Sequence, residues 1–292
     1  MQTMKILKRL MTASCRCSEL PVAVILTVIM AILPLGARSQ RTVWELPDYM
    51  ETMSVSSTAL GGTFARDTYL SASSYEGFVI GFENDRWTGK KPDKLFRYGR
   101  NHAGMFLGYL ENRLGKGSTF EVKGRNYGGF MCPVVKCTMC DLLVGPAALC
   151  EMGFLYNPQN SNNPFNVWGH AGAGICVDNT FRFSVFRYGM ALQASFYMPL
   201  AGVGFAPDYD QPYWFMVNYG DFGKTVHFVT PFNNPAVTQQ VALVFPIKGN
   251  RLRIGYTFDY TGNELGGHSR GIGSNMFTIG CAMRYQTKNW NR

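Results

Sequence analysis

The residues of this sequence whose types and spacing could do chemistry are, first, three cysteines close together in the chain. Cys132, Cys137 and Cys140 have the spacing C-x4-C-x2-C, which matches the start of a plant-type iron–sulfur pattern, and thiolates also bind zinc. However, Pro133 interrupts the hairpin that contains them, and diverging strands cannot easily bring four sulfurs together. We therefore expect no metal and no other cofactor, and we leave open a disulfide or unpaired thiols. Three further cysteines lie outside this segment: Cys150, Cys176 and Cys281.

A second motif of possible chemical meaning is Gly267-His268-Ser269-Arg270-Gly271, which fits the nucleophile-elbow formula G-x-S-x-G. That motif requires a strand–turn–helix corner in an α/β sheet, whereas here two alternating segments flank a Gly-rich hairpin. The histidines lie in separate segments, without an H-E-x-x-H pattern. His170 lies on a clearly predicted strand, and we interpret it as a hydrogen-bonding side chain rather than a base. We therefore assign no catalytic residue.

The composition limits which elements can position these residues. Of the 292 residues, 46% are hydrophobic and 16% are charged, against about 25% charged in an ordinary soluble domain. The mean hydropathy of −0.07 is too high for a disordered chain and too low for a bundle of membrane helices. A soluble β protein and a β-barrel remain as the two fold classes.

Residues 1–39 have the features of a secretory signal. A basic start is followed by an apolar run over 20–35, and small residues at Ala37 and Ser39 precede Gln40. The run has 16 residues, fewer than the roughly 20 that span a bilayer, so we expect cleavage before Gln40. The signal carries five basic residues and one acidic residue, so its removal lowers the net charge from +9 to +5. An exported chain without a basic stripe is not expected to bind nucleic acid.

Beyond the signal, apolar and polar side chains alternate in segments of about ten residues separated by Gly, Asn, Pro and Asp turns. The segment 252–260 has Leu, Ile, Tyr, Phe and Tyr on one face and Arg, Gly, Thr and Asp on the other. The segments 186–196 and 275–285 repeat this period. A soluble sandwich also alternates, but small residues on the polar face and aromatic residues near segment ends favour a membrane. The sequence predicts an all-β fold, an antiparallel transmembrane β-barrel in the cell outer membrane.

The number of strands follows from counting these segments. Eleven segments between residues 75 and 287 are plausible strands, 211–221 among them. Barrels of this class normally have an even count, so we expect about 12 strands, with 10 as the alternative. We divide the chain into a signal peptide 1–39, an N-terminal lead-in 40–70 and a β-barrel domain 71–292.

Polar side chains on the predicted strands are expected to point into the barrel. In a narrow lumen such charges usually pair with one another, and the alternative is a ring that selects solutes. The candidate lumen residues are Glu83, His170, Arg187, Arg253, Asp259 and Arg284.

The segment 157–165, with the sequence NPQNSNNPF, is predicted to form an ordered loop or plug at one barrel rim. Asparagine amides can bond to their own backbone and stabilise tight turns. The alternative is that these amides bind a polar ligand such as a sugar. The candidate loop residues are Asn157, Asn160, Asn162 and Asn163.

Several short segments give the chain a family resemblance. It resembles the DUF3316 family of uncharacterised exported proteins from Bacteroidetes-type bacteria over most of 59–285, and the Cys-rich 132–150 stretch lies outside this pattern. The resemblance implies an outer-membrane barrel and no particular activity. The segments that carry it are Asp67–Ser71, Gly153–Asn157, Asn160–Pro164, Pro199–Tyr209, Leu252–Tyr256 and Phe277–Gly280.

Three classes of function fit these observations. We expect a structural or binding barrel without enzymatic activity, surrounded by membrane lipid, whose ligand is an envelope protein or a polar solute. The first alternative is a small-solute channel. The second alternative is a lipid-directed hydrolase of the outer membrane, which would need a Ser–His pair with an orienting group on neighbouring strands.

Overall fold

The structure is a computed structural model that describes residues 44–112, 115, 117–161, 164–185, 188–207, 218–220, 225–247 and 250–286. The chain divides into two compact units, Met1–Arg38 and Ser39–Arg292, and all described residues belong to the second. The predicted signal peptide lies outside the described residues. Within them, no helix has the length and hydropathy of a membrane span.

The described residues form eleven antiparallel strands, most of them longer than about six residues, the usual length in soluble sheets. The strands are β1 (Glu51–Asp67), β2 (Ser74–Gly89), β3 (Tyr98–Asn112), β4 (Ser118–Lys136), β5 (Cys140–Tyr156), β6 (Phe165–Val185), β7 (Tyr188–Phe205), β8 (Val226–Val229), β9 (Ala236–Ile247), β10 (Asn250–Leu265) and β11 (His268–Gln286).

The strands close into a barrel with ten positions. Their order is β6-β5-β4-β3-β2-β1-β11-β10-β9-β7, and β6 pairs with β7 to complete the ring. The short β8 pairs with β7 over Gly202–Phe205, and β9 pairs with the same edge of β7 over Ala191–Tyr197. The two strands therefore share one position, separated by the turn at 230–235. The expectation of 12 strands is wrong, and the alternative of 10 is confirmed.

The first strand lies where a lead-in was expected. Within 40–70, β1 occupies Glu51–Asp67 and pairs with both β2 and β11, so it adds a strand, and the lower count comes from the position that β8 and β9 share. In the first half of β1 the inward side chains include apolar Met53 and Val55, whereas outward positions such as Ser54 carry hydroxyl groups. This reversed alternation hides the strand from a search for polar-in, apolar-out segments. Most of the expected strand 211–221 lies outside the described residues.

The two faces of the barrel wall differ in polarity, and the polar face is the inner one. Large apolar side chains are exposed on the outer surface, as Phe82 is at 60%. Inward-facing charged residues are buried, as Asp85 is at 0%. This inversion of a soluble protein's distribution is characteristic of transmembrane barrels. The exposed outward side chains include Leu60, Phe78, Phe82, Met105, Leu107, Phe120, Phe130, Phe277, Ile279 and Met283.

The two ends of the barrel differ in their connections. At one end, which we call the terminal end, β1 begins, β11 ends, and the connections 90–97, 137–139, 186–187 and 248–249 join the strands. The opposite end, which we call the loop end, carries the connection 157–164 and the longest connection, 206–225. The segment before β1 enters the interior at the terminal end, where Trp44 packs edge-on against Trp87 with ring centroids 5.3 Å apart.

The motif Gly267–Gly271 lies in the hairpin that joins β10 to β11. Gly266 and Gly267 both have positive φ, 61° and 73°, as a tight two-residue hairpin turn requires. Ser269 is on β11, and its backbone exchanges hydrogen bonds with Thr68. The residues that fit the nucleophile-elbow formula therefore form a β-hairpin, not a strand–turn–helix corner.

Candidate functional site

Inward-facing charged residues form two clusters that cross the barrel at different levels. We name them by their central carboxylates, the Asp85 cluster and the Asp259 cluster. The strand alternation places these side chains inside because every second residue of a strand faces the same way. The Asp85 cluster contains Asp85, Arg100, His102, Asp178, Gln193 and Arg253, and the Asp259 cluster contains Glu121, Lys123, Arg125, Glu151, Thr238, Asp259 and Thr261.

Asp85 on β2 is bound from two other strands. Its Oδ1 accepts a hydrogen bond from Arg100 Nη2 at 2.7 Å and lies 2.9 Å from His102 Nδ1, both on β3. Its Oδ2 accepts a hydrogen bond from Arg253 Nη1 at 2.9 Å. Arg253 is on β10, three positions around the barrel from β2. Both carboxylate oxygens of this fully buried residue are therefore paired with cations or imidazole.

Asp178 on β6 extends the Asp85 cluster to the far side of the barrel. Its Oδ2 accepts a hydrogen bond from Trp87 Nε1 at 2.9 Å and lies 3.1 Å from Arg100 Nε. The Arg100 guanidinium also lies over the Trp87 ring, 4.0 Å from its centroid. On the remaining side, Arg253 Nε donates to Gln193 Oε1 at 3.1 Å. Charge and hydrogen bonding thus link β2, β3, β6, β7 and β10 through the interior.

An aromatic stack crosses the interior beside this cluster. The His102 and Tyr127 rings are stacked with centroids 4.6 Å apart, and Tyr127 stacks on Tyr197 at 4.7 Å with an interplanar angle of 8°. These residues come from β3, β4 and β7. Parallel rings at this spacing fill the lumen and hold the imidazole of His102 in place against Asp85.

The Asp259 cluster joins opposite walls. Lys123 and Arg125 on β4 both bind the Asp259 carboxylate on β10, and these strands are five positions apart in the ring of ten. Arg125 Nη1 also donates to Thr238 Oγ1 on β9 at 2.8 Å, and Thr261 Oγ1 donates to Glu151 Oε1 on β5 at 2.7 Å. Asp259 lies six residues beyond Arg253 along β10, so this cluster crosses the lumen closer to the loop end.

Several buried polar groups near these clusters lack a hydrogen-bond partner within the described residues. Both carboxylate oxygens of Glu83, both ring nitrogens of His170 and the amide of Gln240 are among them. His170 is 5% exposed on the inner face of β6. Within the described residues, His170 therefore does not form the predicted hydrogen bond. It also forms no Ser–His pair there.

Ion pairs and hydrogen bonds also occur at the terminal end. Arg182 on β6 binds Asp141, and its Nη1 donates to the Cys137 carbonyl at 3.1 Å. It also donates from Nε to the Trp44 carbonyl at 2.5 Å. Arg284 is at the same end and pairs with Glu51 at 3.2 Å. The candidate Arg284 thus lies at the rim, with a quarter of its side chain exposed.

The asparagine-rich loop lies across the loop end. Asn157 Nδ2 donates to the Tyr75 hydroxyl at 3.0 Å, and Asn160 Nδ2 donates to the Leu70 carbonyl at 2.8 Å. Asn157 Oδ1 accepts from the Gln159 amide at 3.1 Å. These bonds attach the connection between β5 and β6 to the start of β2 and to the connection that precedes it. Asn162 and Asn163 lie outside the described residues.

The structure places two of the predicted lumen residues in the clusters, one in each. Arg253 is in the Asp85 cluster, and Asp259 is the centre of the other cluster. Glu83 and His170 face inward without joining a cluster, and Arg187 lies outside the described residues.

Sequence reasoning missed the partners of these residues. One signal in the sequence was available. The odd-numbered residues from 119 to 127 are polar or charged, and they alternate with even-numbered residues that include the outward Phe120 and Val122. That alternation marks Glu121, Lys123 and Arg125 as inward.

The six described cysteines are unpaired thiols. Cys137 and Cys140 flank the turn between β4 and β5, where the Cys140 amide donates to Cys137 Sγ at 3.2 Å. Among the residues that the structure describes, no group of three or more His, Cys, Asp or Glu side chains could hold a metal ion. The contacts of the described inward-facing polar residues are ion pairs and hydrogen bonds.

Comparison with known proteins gives one family. A family model described as a protein of unknown function, DUF3316, matches residues 24–288. No curated protein sequence matches the chain.

Three solved barrels are similar to the chain in structure. The outer membrane protease OmpT from Escherichia coli has a TM-score of 0.48 at 9% identity, covering 84% of this chain and 100% of that one. The transport unit of the autotransporter AIDA-I from Escherichia coli has a TM-score of 0.44 at 7% identity, covering 91% and 97%. The translocator domain of the autotransporter NalP from Neisseria meningitidis has a TM-score of 0.37 at 8% identity, covering 89% and 93%. The strand pairing of this chain itself shows the barrel.

Proposed function

This chain belongs to the DUF3316 family, and we propose that it is an outer-membrane β-barrel with a closed interior, acting as a structural or binding barrel. The apolar outer face supports a membrane position, because exposed Phe and Leu side chains would otherwise contact water. β1 has 17 residues, which at a tilt of about 45° rise about 40 Å, enough for a hydrocarbon core of roughly 30 Å.

The observation that carries the closed interior is the pairing of Lys123 and Arg125 with Asp259. These residues come from β4 and β10, five positions apart in a ring of ten, so their bonds run through the middle of the lumen. All three side chains are at most 1% exposed. A solute moving along the barrel axis would have to separate buried charges, which costs several kcal/mol.

Single-channel recording in planar bilayers tests this proposal. We expect purified wild-type protein, inserted with its heat-resistant gel mobility intact, to give no stepwise current above the lipid baseline, while an open porin in the same chamber conducts. If the interior is closed, the variant Arg253→Glu, inserted with the same gel mobility, should also give no stepwise current. Reproducible wild-type steps whose size or ion selectivity changes in Arg253→Glu would instead make the chain a small-solute channel.

For a binding barrel, the partner is expected at the loop end. Asn157 and Asn160 hold the connection 157–161 against Leu70 and Tyr75 there, which gives a surface of fixed shape. The classes we propose for the partner are another envelope protein and a polar solute. A lipid-directed hydrolase receives no support from His170, because its ring nitrogens bind no hydroxyl within the described residues.

A further inference from the structure

The outer wall of the barrel has a shallow depression near the terminal end, over β2, β3 and β4. Its volume is about 340 Å³. Gly99 and Gly128 form its floor, since outward-facing glycines leave the backbone uncovered, and the Phe130 ring stands at one side. Arg86 also lines the depression, and the Lys90 side chain reaches across it to Phe130.

Among the described residues, the two cations at this depression have no carboxylate partner. In the described part of the chain, neither Arg86 nor Lys90 makes an ion pair. Arg86 is exposed on the outward face of β2. The Lys90 ammonium lies over the Phe130 ring, 4.2 Å from its centroid. Both charges are therefore available to an anion that enters from outside the barrel.

The neighbouring turn adds to the positive charge. Residues 90–97, with the sequence KKPDKLFR, connect β2 to β3 and contain four cations against the single acid Asp93. Leu95 is 71% exposed at the tip of this turn. Cations beside exposed apolar side chains are the pattern of a segment at the boundary between headgroups and acyl chains.

We propose that this depression, formed by Arg86, Lys90, Asn101, Gly99, Gly128 and Phe130, binds the phosphate of an anionic phospholipid. The inference rests on the proposed membrane position of the barrel. Short turns mark the periplasmic end of such barrels, so the site faces the periplasmic leaflet. Arg86 and Lys90 contact the phosphate, and the acyl chains run towards the loop end over Phe82 and Met105, which are exposed on the same wall.

Charge complementarity selects this occupant. A zwitterionic headgroup carries no net charge, whereas a phosphatidylglycerol headgroup carries one negative charge that two unpaired cations can neutralise. A cation that contacts the lipid phosphate directly is expected to strengthen binding about fivefold, whereas a cation outside the depression lacks that contact in a detergent micelle.

Native mass spectrometry of the detergent-solubilised full chain provides the test, with phosphatidylglycerol and phosphatidylcholine supplied in equal amounts. Wild type should retain phosphatidylglycerol preferentially. The double variant Arg86→Gln/Lys90→Gln should lose that preference by tenfold or more. The control Lys91→Gln/Lys94→Gln removes the same charge from the adjoining turn, outside the depression, and should keep the preference within about twofold. All three proteins must show the same heat-resistant gel mobility.

The outcomes separate the proposals. Equal losses in both double variants would mean a diffuse basic surface and overturn the site. Equal retention of the two lipids by wild type would overturn it as well. Inorganic phosphate should compete only weakly, because the acyl chains contribute to binding; displacement of the lipid by phosphate as effective as by short-chain phosphatidylglycerol would make this a free-phosphate site. A chain that fails to insert into vesicles would refute the membrane barrel itself.

Discussion

Asp85 shows how single buried charges stabilise this barrel. Its carboxylate is bound by Arg100 and His102 on β3 and by Arg253 on β10. Each buried carboxylate oxygen therefore has a guanidinium or imidazole partner in place of water. The same donors have lost their own hydration. Removing one member of such a buried pair leaves the other charge without compensation.

Replacing Asp85 with Ala should therefore be strongly destabilising. The change leaves two buried guanidinium groups without their carboxylate, and we expect unfolding in urea from lipid vesicles to become about 3–5 kcal/mol easier. Asp93→Ala, in the exposed turn 90–97, is the control and should change stability by less than about 0.5 kcal/mol. Similar small effects of both changes would show that the Asp85 cluster contributes little.

Gly153 on β5 should not accept a larger side chain without loss of stability. A Cβ at Gly153 would lie 2.2 Å from Trp168 Cζ2, and Trp168 is buried at 1% with Arg270 over its ring. Gly153→Ala should cost about 1–3 kcal/mol of unfolding free energy by overpacking. Gly124→Ala is the matched control, because a Cβ there meets no atom within 4 Å. Equal stability of the two variants in urea would mean that the indole can move.

Sequence reasoning recognised individual inward charges but not their partners. The alternation in 252–260 places Arg253 and Asp259 on the inner face, as the structure has them. Asp85 and Arg253 are 168 residues apart, so their pairing depends on strand order and register around the whole ring. Local periodicity carries no information on either quantity.

Among the elements, strands with an apolar outward face, such as β10 and β11, were predictable from the sequence, and β1 was not. β10 and β11 have long apolar side chains outside and small or polar ones inside. β1 has Met53 and Val55 inside and Ser54 outside. A strand of that kind is recognisable only once its neighbours are known, since pairing with β2 and β11 defines which face is inner.

The outward face of the strands gives a test of the membrane position. Phe82 lies outward within β2 at 60% exposure, and Tyr285 lies outward near the end of β11 at 44%. In a bilayer, Phe82→Arg should cost about 2–4 kcal/mol and Tyr285→Arg about 1 kcal/mol or less. Unfolding from vesicles measures both. If the barrel stood in water, both exposed positions would accept Arg with changes near 0.5 kcal/mol.

The connection between β5 and β6 gives a second test at this scale. Asn157→Ala/Asn160→Ala removes the bonds to Tyr75 and Leu70, so protease cleavage within 157–161 should accelerate severalfold. The heat-resistant gel mobility of the barrel should stay unchanged, because these bonds lie outside the strand ladder. Ser161→Ala, in the same loop, is the control. Loss of the barrel would show that the loop belongs to the folded core, and unchanged cleavage would show that these amides do not order it.

For the molecule as a whole, the class of fold was predictable and the size of the ring was not. Alternation indicates a barrel strand wherever it occurs, but the count depends on which segments share a position. β8 and β9 are two separate segments in the sequence and one position in the ring, both paired with β7. A closed interior likewise depends on which residues meet across ten strands.

Closure of the ring by β1 and β11 has a consequence for the order of assembly. Glu51 pairs with Gln286, so the first strand cannot obtain its second neighbour before β11, the last of the described strands, is available. Before that moment, β1 and the most recently delivered strand are both open edges, which can pair with any other extended chain. Contacts of such long sequence separation also form slowly. A chain that ends before β11 would therefore remain an open sheet, exposed to aggregation or to an escort that covers its edges.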